Sequence, residues 1–358
     1  MKKEHEINAL LAQLQATEGT EVAIDSEAVQ AEYQKINANR SGIAIKVLTI
    51  LGGLLATLAF LAFLLIAGLY DSYAGMTIIG IIFIAGAIVV SKRFDILIFD
   101  AIAVTAFASG LFLLAMGIEG GTKSENLVCI LFIGIGLATL AIVQNYILSF
   151  LAVLTVNGAL ICLILFNNQY SSLHFYIAIV TIGLITFMLQ EANLITGGKK
   201  LSRLYNPIKL GLLFSVLAAY VLVSTKGLFS FSIHFNLVSS IAAIGSIFYV
   251  LQRLLQLFNI QRTDTKVLIY LPVALVLIPT LYAPAIAGAL LITLLCFWVN
   301  HKTGLVIGIA ALVYFIFRYY YDLQLTLLVK SILLFASGVL FLLFYLLTHK
   351  KLESHEKI

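Results

Sequence analysis

Twelve apolar segments follow one another along most of the chain, and most of them have the length of a helix that crosses a membrane. A helix needs roughly 20 apolar residues to cross a hydrocarbon core of about 30 Å. The chain is 61% hydrophobic and 11% charged, whereas an ordinary globular domain is about 25% charged. This composition excludes a soluble globular domain, a disordered chain and a coiled coil. It predicts an all-α fold, a polytopic membrane helix bundle.

The apolar segments divide the chain into three parts. These are a cytoplasmic amphipathic helical segment at 1–42, a transmembrane bundle of about 12 helices at 43–347, and a basic and polar cytoplasmic tail at 348–358. The segments run near 43–69, 74–90, 95–117, 127–143, 146–166, 173–189, 207–224, 236–254, 266–280, 283–299, 303–318 and 324–347. Pro272 and Pro279 interrupt the region 266–299, so a count of eleven spans is the alternative.

Lysine and arginine residues are distributed unevenly between successive loops, and this distribution predicts the orientation. With the N-terminus in the cytoplasm, 16 of the 22 Lys and Arg residues fall on the cytoplasmic side, 3 in outside loops and 3 within spans. Cytoplasmic loops of membrane proteins carry such an excess. The pattern predicts twelve transmembrane helices with both termini cytoplasmic and the lipid bilayer as their surroundings. The net charge of +5 follows from the same bias, and we expect no nucleic-acid partner.

The N-terminal segment has its own pattern of apolar residues. Ile7, Leu10, Leu11 and Leu14 share one helical face, and a second apolar face follows Ser26, a candidate N-cap. Residues 1–42 contain four basic and seven acidic residues, which disfavours binding to anionic lipid. The segment is a helical hairpin packed on itself or on a partner, or a loosely ordered tail. No cleavable signal peptide is recognisable.

Ionisable side chains within the spans are candidates for function, because a charge at the centre of a membrane helix costs roughly 2.5–3.5 kcal/mol. Lys330 lies in the last span, about 9 Å from its start, and Asp322 precedes it beside Tyr320 and Tyr321. Their spacing of eight residues places Asp322 and Lys330 on similar helix faces. The functional interpretation is a polar pocket that opens to the outside. The alternative is a lysine that extends to the interface or pairs with a neighbouring helix.

Asp100, Asn157 and two glycines complete the candidate residues. Asp100 lies near the cytoplasmic end of the third span. The functional interpretation is that it belongs to a proton or cation relay. The alternative is that it forms an ion pair with an arginine on the cytoplasmic side. Asn157 is a polar residue of the fifth span that can hydrogen-bond to a neighbouring helix. Gly304 and Gly308 form a Gly-x-x-x-Gly face, which predicts close helix packing.

Catalytic and ligand-binding motifs are not recognisable in the sequence. The run Gly197–Lys200 lacks the first glycine and the Ser or Thr of a phosphate-binding loop, and no H-E-x-x-H or G-x-S-x-G occurs. Cys129, Cys162 and Cys296 lie in apolar runs without a C-x-x-C, which is typical of small buried side chains. We expect no catalytic residue, no metal site and no cofactor.

One stretch near the C-terminus resembles a known family. An aromatic pair precedes a Thr-Leu-Leu-x-Lys-Ser run, formed by Tyr320, Tyr321, Thr326, Leu327, Leu328, Lys330 and Ser331. In this motif the chain resembles a bacterial multi-pass membrane family, the domain of unknown function 4401, and its N-terminal region is similar to the related domain of unknown function 2157. Members are often encoded beside another membrane protein and a GDYXXLXY-type protein. The resemblance therefore implies a partner protein, and it implies no catalytic residues.

These observations lead to three hypotheses for an integral protein of the bacterial inner membrane. The first is a membrane subunit or scaffold that works with an envelope or membrane protein partner, as the resemblance implies. The alternative is a transporter or channel for a small solute or ion, which twelve spans and the in-span charges favour. A membrane-embedded enzyme is the third, although paired carboxylates and metal ligands are not recognisable in the sequence.

Overall fold

The computed structural model describes residues 43–94, 97–225, 233–258 and 263–322, together with nine positions between 326 and 342. These residues form α-helices and two 3-10 turns, Leu69–Asp71 and Pro279–Tyr282, and no strand occurs among them. The helices are α1 (Ile43–Ile66), α2 (Tyr73–Arg93), α3 (Leu97–Thr122), α4 (Glu125–Ile142), α5 (Tyr146–Phe166), α6 (Ser172–Leu189), α7 (Glu191–Thr196), α8 (Lys199–Ser224), α9 (Ile233–Leu257), α10 (Thr263–Leu277), α11 (Pro284–Trp298) and α12 (Lys302–Asp322).

Eight of the described helices are long and apolar enough to cross a membrane, namely α2, α3, α4, α5, α6, α8, α9 and α12. Shorter apolar stretches lie in α1, α10 and α11. Large apolar side chains are exposed along these helices, for example Ile82, Phe112 and Ile179. Outward-facing apolar side chains are what helices in a bilayer require, since the lipid tails are themselves apolar. The protein is therefore a helical membrane protein, as its composition predicts.

The helices lie close to the segments that hydropathy predicts, with informative differences. The region 266–299 forms two helices, α10 and α11, which are separated by the 3-10 turn Pro279–Tyr282. Pro272 lies inside α10, and Pro284 is the first residue of α11, where its missing N–H costs no helical hydrogen bond. The last predicted segment, 324–347, lies outside the continuously described residues, as do the predicted N-terminal segment and C-terminal tail.

The helix α8 occupies the centre of the larger core. It packs against α5, α6, α11 and α12, and half of its apolar window is buried. Leu213, Val216, Tyr220 and Phe315 are among the fully buried side chains of this core. A second apolar cluster joins α2, α3 and α5 around Phe107. Because α8 contacts so many neighbours, a polar side chain on its inward face is removed from both lipid and water.

The helices α2 and α3 are the most closely packed pair in the described bundle. A Cβ added to Gly80 would lie 2.8 Å from the backbone nitrogen of Leu114, and a Cβ added to Gly110 would lie 2.9 Å from the carbonyl oxygen of Gly80. Only glycine permits such an approach of two backbones. This interface is an example of the small-residue packing that replaces the hydrophobic effect as a driving force between helices in lipid.

Candidate functional site

A lysine lies in the interior of α8, well below the end of the helix. The Lys209 side chain is 4% exposed. Lys200, in the first turn of α8, lies level with the end of α4. Its Nζ donates a 2.6 Å hydrogen bond to the carbonyl oxygen of Ala141 in the last turn of α4. Lys209 follows Lys200 by nine residues, which corresponds to about 13.5 Å along the helix axis. A cation at this depth requires a partner, because its desolvation is costly.

The partner comes from a break between two helices. α6 ends at Leu189 and α7 begins at Glu191, and the intervening Gln190 has a ψ of 22°, far from the helical value of about −42°. Glu191 follows the break directly, and its Oε1 lies 4.0 Å from Lys209 Nζ. The Glu191 side chain is 35% exposed. The ion pair therefore joins a buried cation to a partly exposed carboxylate.

An aromatic pair covers the other side of the lysine. Tyr205 lies one turn before Lys209 on α8, and the lysine Nζ lies 4.6 Å from the centre of the tyrosine ring. Phe187 of α6 stacks on the same ring with a centroid separation of 5.1 Å. The Tyr205 side chain is almost completely buried, and its hydroxyl interacts with the Glu191 carboxylate. Tyr205 therefore contacts both members of the ion pair.

His301 and Cys296 complete this group of residues, which we name the Lys209 cluster: Glu191, Tyr205, Lys209, Cys296 and His301. His301 lies in the turn between α11 and α12, where the Gly304 N–H donates a 3.0 Å hydrogen bond to its Nδ1. The neutral ring then carries its proton on Nε2. Burial, together with the nearby Lys209 charge, lowers the pKa of His301 below its ordinary value, and the Glu191 carboxylate acts in the opposite direction. The charges of Lys209 and Glu191 therefore act on His301 in opposite directions.

The Lys209 cluster contains groups that exchange protons and lacks a metal-binding arrangement. No set of three or more His, Cys, Asp or Glu residues within the described parts of the chain could hold a metal ion. Glutamate, histidine, lysine and tyrosine side chains can all change protonation when their surroundings change. The arrangement can consequently hold an anion or release a proton when the Lys209–Glu191 pair separates.

The comparison with protein families covers nearly all of the described bundle. A family model described as Domain of unknown function (DUF4401) matches residues 43–351. The chain belongs to this family. The match begins where α1 begins, includes every residue of the Lys209 cluster, and confirms the resemblance inferred from the Tyr320–Ser331 stretch. No curated protein and no solved structure matches this DUF4401 chain.

Asp100 of the DUF4401 chain connects two helix ends. The Asn145 side chain donates a 2.7 Å hydrogen bond from Nδ2 to Asp100 Oδ1. The Oδ1 of the same asparagine accepts hydrogen bonds from the backbone N–H groups of Ile147 and Leu148 and so caps α5. This contact holds the turn before α5 against the first turn of α3. The described structure does not bring Asp100 into the Lys209 cluster.

The predicted outer group is described only in part. Asp322 pairs with Arg318 one turn earlier, at 3.5 Å, and its side chain is 15% exposed. Tyr320 is half-buried and Tyr321 is largely exposed at the end of α12. Lys330 lies outside the described residues, so a pocket formed by Asp322 and Lys330 stays a prediction.

Asn157 links two helices in the interior. Its Oδ1 accepts a 2.9 Å hydrogen bond from the Tyr176 hydroxyl of α6, and its Nδ2 donates to the carbonyl oxygen of Val153. Both side chains are buried. The interaction satisfies three polar groups that lipid or apolar neighbours could not satisfy, and it fixes α5 relative to α6.

Gly304 and Gly308 face α11 from α12. A Cβ added to Gly304 would lie 2.5 Å from His301 Nδ1 and 2.6 Å from Cys296 Sγ. A Cβ added to Gly308 would lie 2.9 Å from the Thr293 hydroxyl oxygen. Gly304 thus packs directly against the Lys209 cluster, and the two glycines permit the close approach of the helix pair.

The sequence argument missed Lys209 and Glu191 as functional candidates. Lys209 is one of the three Lys and Arg residues counted within spans, but it lies only two residues inside the predicted segment 207–224. Glu191 lies two residues beyond the predicted segment 173–189 and is therefore not counted as a charge within a span. The available signal was the low charge content of the region around Lys209, since a lysine surrounded by Ile208, Leu210 and Leu212 needs a counter-charge.

Proposed function

We propose that this DUF4401 protein is a proton-coupled transporter for a small solute or ion, and that the Lys209 cluster is its coupling site. The observation that carries the proposal is the buried Lys209 cation facing Glu191 directly after the break between α6 and α7. Ionisable residues inside membrane bundles mark ion and proton pathways. Interrupted helices are the elements from which many transporters build their binding sites.

A purely structural role explains this arrangement less well. An ion pair with one buried member contributes little net stability, because desolvation offsets much of the attraction. Apolar residues of similar size would hold α7 and α8 together equally well. The 35% exposure of Glu191 gives the carboxylate a route to solvent. Protonation of Glu191 would release Lys209, and the neutral His301 ring beside the pair presents its Nε2–H as a hydrogen-bond donor.

The topology that accompanies this proposal has twelve spans, both termini in the cytoplasm, and residence in the bacterial inner membrane. The distribution of Lys and Arg between loops supports it. In this orientation α8 begins at the cytoplasmic side, and the Lys209 cluster lies in the cytoplasmic half of the bundle. The coupling site would then exchange protons with the cytoplasm through Glu191.

The test uses the full chain reconstituted into liposomes that contain a pH-sensitive dye. A pH gradient and a valinomycin-clamped potassium potential are imposed, with sugars, amino acids, organic acids and organic cations added in turn. We expect solute-dependent proton movement for one class, and its loss in Lys209→Met and Glu191→Gln. Lys302→Met, which changes an exposed lysine at the start of α12, should retain it. Absence of proton movement for every class, with oriented protein confirmed in the liposomes, would overturn the proposal.

The second candidate function is a membrane subunit or scaffold that works with an envelope or membrane protein partner. Gly86 of α2 and Gly134 of α4 favour it, because both are exposed and an added Cβ would meet nothing within 4 Å at either position. Exposed small residues permit close approach of a helix from another protein. Gentle-detergent purification of the tagged chain with mass spectrometry tests this candidate. A stoichiometric partner that is lost in Gly134→Leu and kept in Lys209→Met would support it over transport.

A further inference from the structure

An apolar cleft opens between α3, α4 and α5, near the end of α4 that lies away from Lys200. Its volume is about 430 Å³, and the lining includes Leu111, Val128, Phe132 and Cys162. Along α5 the lining runs from Thr155 to Phe166, eleven residues or about 16 Å. This length is close to half of a hydrocarbon core of about 30 Å. The cleft therefore has the depth of one leaflet.

A polar cleft of about 450 Å³ lies at the mouth of the apolar one. Glu119, Glu125 and Phe166 line both, so the two are continuous. Lys123 and Ser124, in the turn between α3 and α4, line only the polar part. Together the two clefts match the two parts of a lipid molecule. The apolar cleft corresponds to an acyl chain, and the polar cleft at its mouth corresponds to a headgroup.

One side of the mouth is held in place by a pair of asparagines. Asn126 Nδ2 donates to Asn167 Oδ1 at 3.1 Å, and Asn167 Nδ2 donates to Asn126 Oδ1 at 2.8 Å. These reciprocal hydrogen bonds join the start of α4 to the residue after α5. The separation of the two helix ends is therefore fixed, and the mouth is preformed.

The charged residues of the polar cleft determine which lipid headgroup fits it. Glu119 and Glu125 are exposed and make no ion pair with the residues that the structure describes, while Lys123 supplies the single cation of the lining. Two carboxylates attract a primary ammonium group, and one lysine attracts a phosphate. A lipid with a phosphate and no amine would meet a net negative mouth. Its binding would be disfavoured by repulsion.

We propose that this cleft binds a phospholipid whose headgroup carries a primary ammonium group, as in phosphatidylethanolamine. One acyl chain occupies the apolar part beside Phe132 and Cys162. The ammonium group lies between Glu119 and Glu125, and the phosphate lies at Lys123. In the proposed topology this is a lipid of the outer leaflet.

Native mass spectrometry of the full chain from micelles with equal amounts of phosphatidylethanolamine and phosphatidylglycerol tests the site. We expect the first bound lipid to be phosphatidylethanolamine with at least fivefold preference. The preference should disappear in Glu119→Gln/Glu125→Gln and persist in Asp71→Asn, an exposed acidic residue of the α1–α2 turn. Equal binding of both lipids by the wild type, or an unchanged preference in the double variant, would overturn the proposal.

A second variant tests the apolar part independently of charge. Gly158 lines the cleft, and an added Cβ there would meet nothing within 4 Å. Gly158→Phe should fill this space and remove one tightly bound lipid from the mass spectrum, while the glutamates remain. Water-soluble glycerophosphoethanolamine should not displace the lipid from the wild type, because the acyl chain contributes most of the binding. Displacement by this headgroup analogue, or an unchanged lipid count in Gly158→Phe, would contradict the site.

Discussion

The Lys209–Glu191 pair predicts an asymmetry between its two single variants. Glu191→Gln leaves a buried cation without its counter-charge, and the structure offers Lys209 no route to water. Lys209→Met removes the charge and keeps the volume, and the Glu191 carboxylate, which is 35% exposed, is then left without a buried charge beside it. We therefore expect Glu191→Gln to lower the free energy of unfolding more than Lys209→Met does.

The magnitude follows from the separation of the two charges. Unit charges 4.0 Å apart attract by about 4 kcal/mol at an effective dielectric constant of about 20. Because the Glu191 side chain is 35% exposed, solvent screens the interaction, and we expect a coupling energy of about 1–3 kcal/mol. Glu191→Gln should cost about 2–3 kcal/mol, Lys209→Met about 1 kcal/mol, and the double variant about as much as Lys209→Met alone.

The assay is a double-mutant cycle of reversible unfolding in mixed micelles with increasing dodecyl sulfate. Trp298 is the single tryptophan of the chain and ends α11, close to the Lys209 cluster, so its fluorescence reports on this region. Lys302→Met serves as the control for loss of a lysine charge at the surface. If the effects of the two single variants add to within about 0.5 kcal/mol, the pair is not coupled and the reasoning is refuted.

Three further predictions concern other contacts of the core. Gly288→Ala should destabilise the protein by about 1–3 kcal/mol, because the new Cβ would lie 2.1 Å from a ring carbon of Tyr220. Tyr176→Phe should cost about 1–2 kcal/mol in the same unfolding assay, because the buried Asn157 oxygen loses its donor. His301 has a lowered pKa in the folded protein, so the unfolded chain takes up the proton first. Stability should therefore fall as the pH decreases through about 6.5 towards the folded pKa.

Each of these predictions has a matched control. Gly183→Ala should have no cost, because an added Cβ there meets nothing within 4 Å, and an equal loss at Gly183 and Gly288 would contradict the packing argument. Tyr282 is 70% exposed, so Tyr282→Phe should leave stability unchanged where Tyr176→Phe lowers it. His301→Asn keeps a side-chain acceptor at the N-cap and removes the titration. A melting temperature with the same pH dependence in wild type and His301→Asn would refute the assignment.

Hydropathy predicts the positions of the helices because the membrane imposes one length and one composition on them. It fails at the start of α8, which begins at Lys199 although the apolar segment begins near 207. The run Lys199–Tyr205 is polar, so hydropathy assigns it to a loop. In the structure it forms the first turns of α8. This difference moves Lys209 from the start of a span to the middle of a helix.

Which face of a helix points inward is harder to infer from sequence. In α4 the sequence does not show which of two glycines packs inside the bundle, and an added Cβ at Gly134 would meet nothing within 4 Å. Gly136, two residues later, is the buried glycine, and an added Cβ there would lie 2.9 Å from the Ala152 carbonyl oxygen. Because every face of such a helix is apolar, the usual contrast between a polar and an apolar side is missing. The pairing of Glu191 with Lys209 is equally a property of tertiary packing, since the residues belong to different helices.

The interlocked backbones of α2 and α3 have a mechanical consequence. With Gly80 and Gly110 each fitted against the opposite main chain, neither helix can slide or rotate along the other without a steric clash. We therefore expect the two helices to move as one rigid unit. The transport cycle proposed above would therefore bend the bundle elsewhere, and we expect Gln190, which separates α6 from α7, to be the pivot.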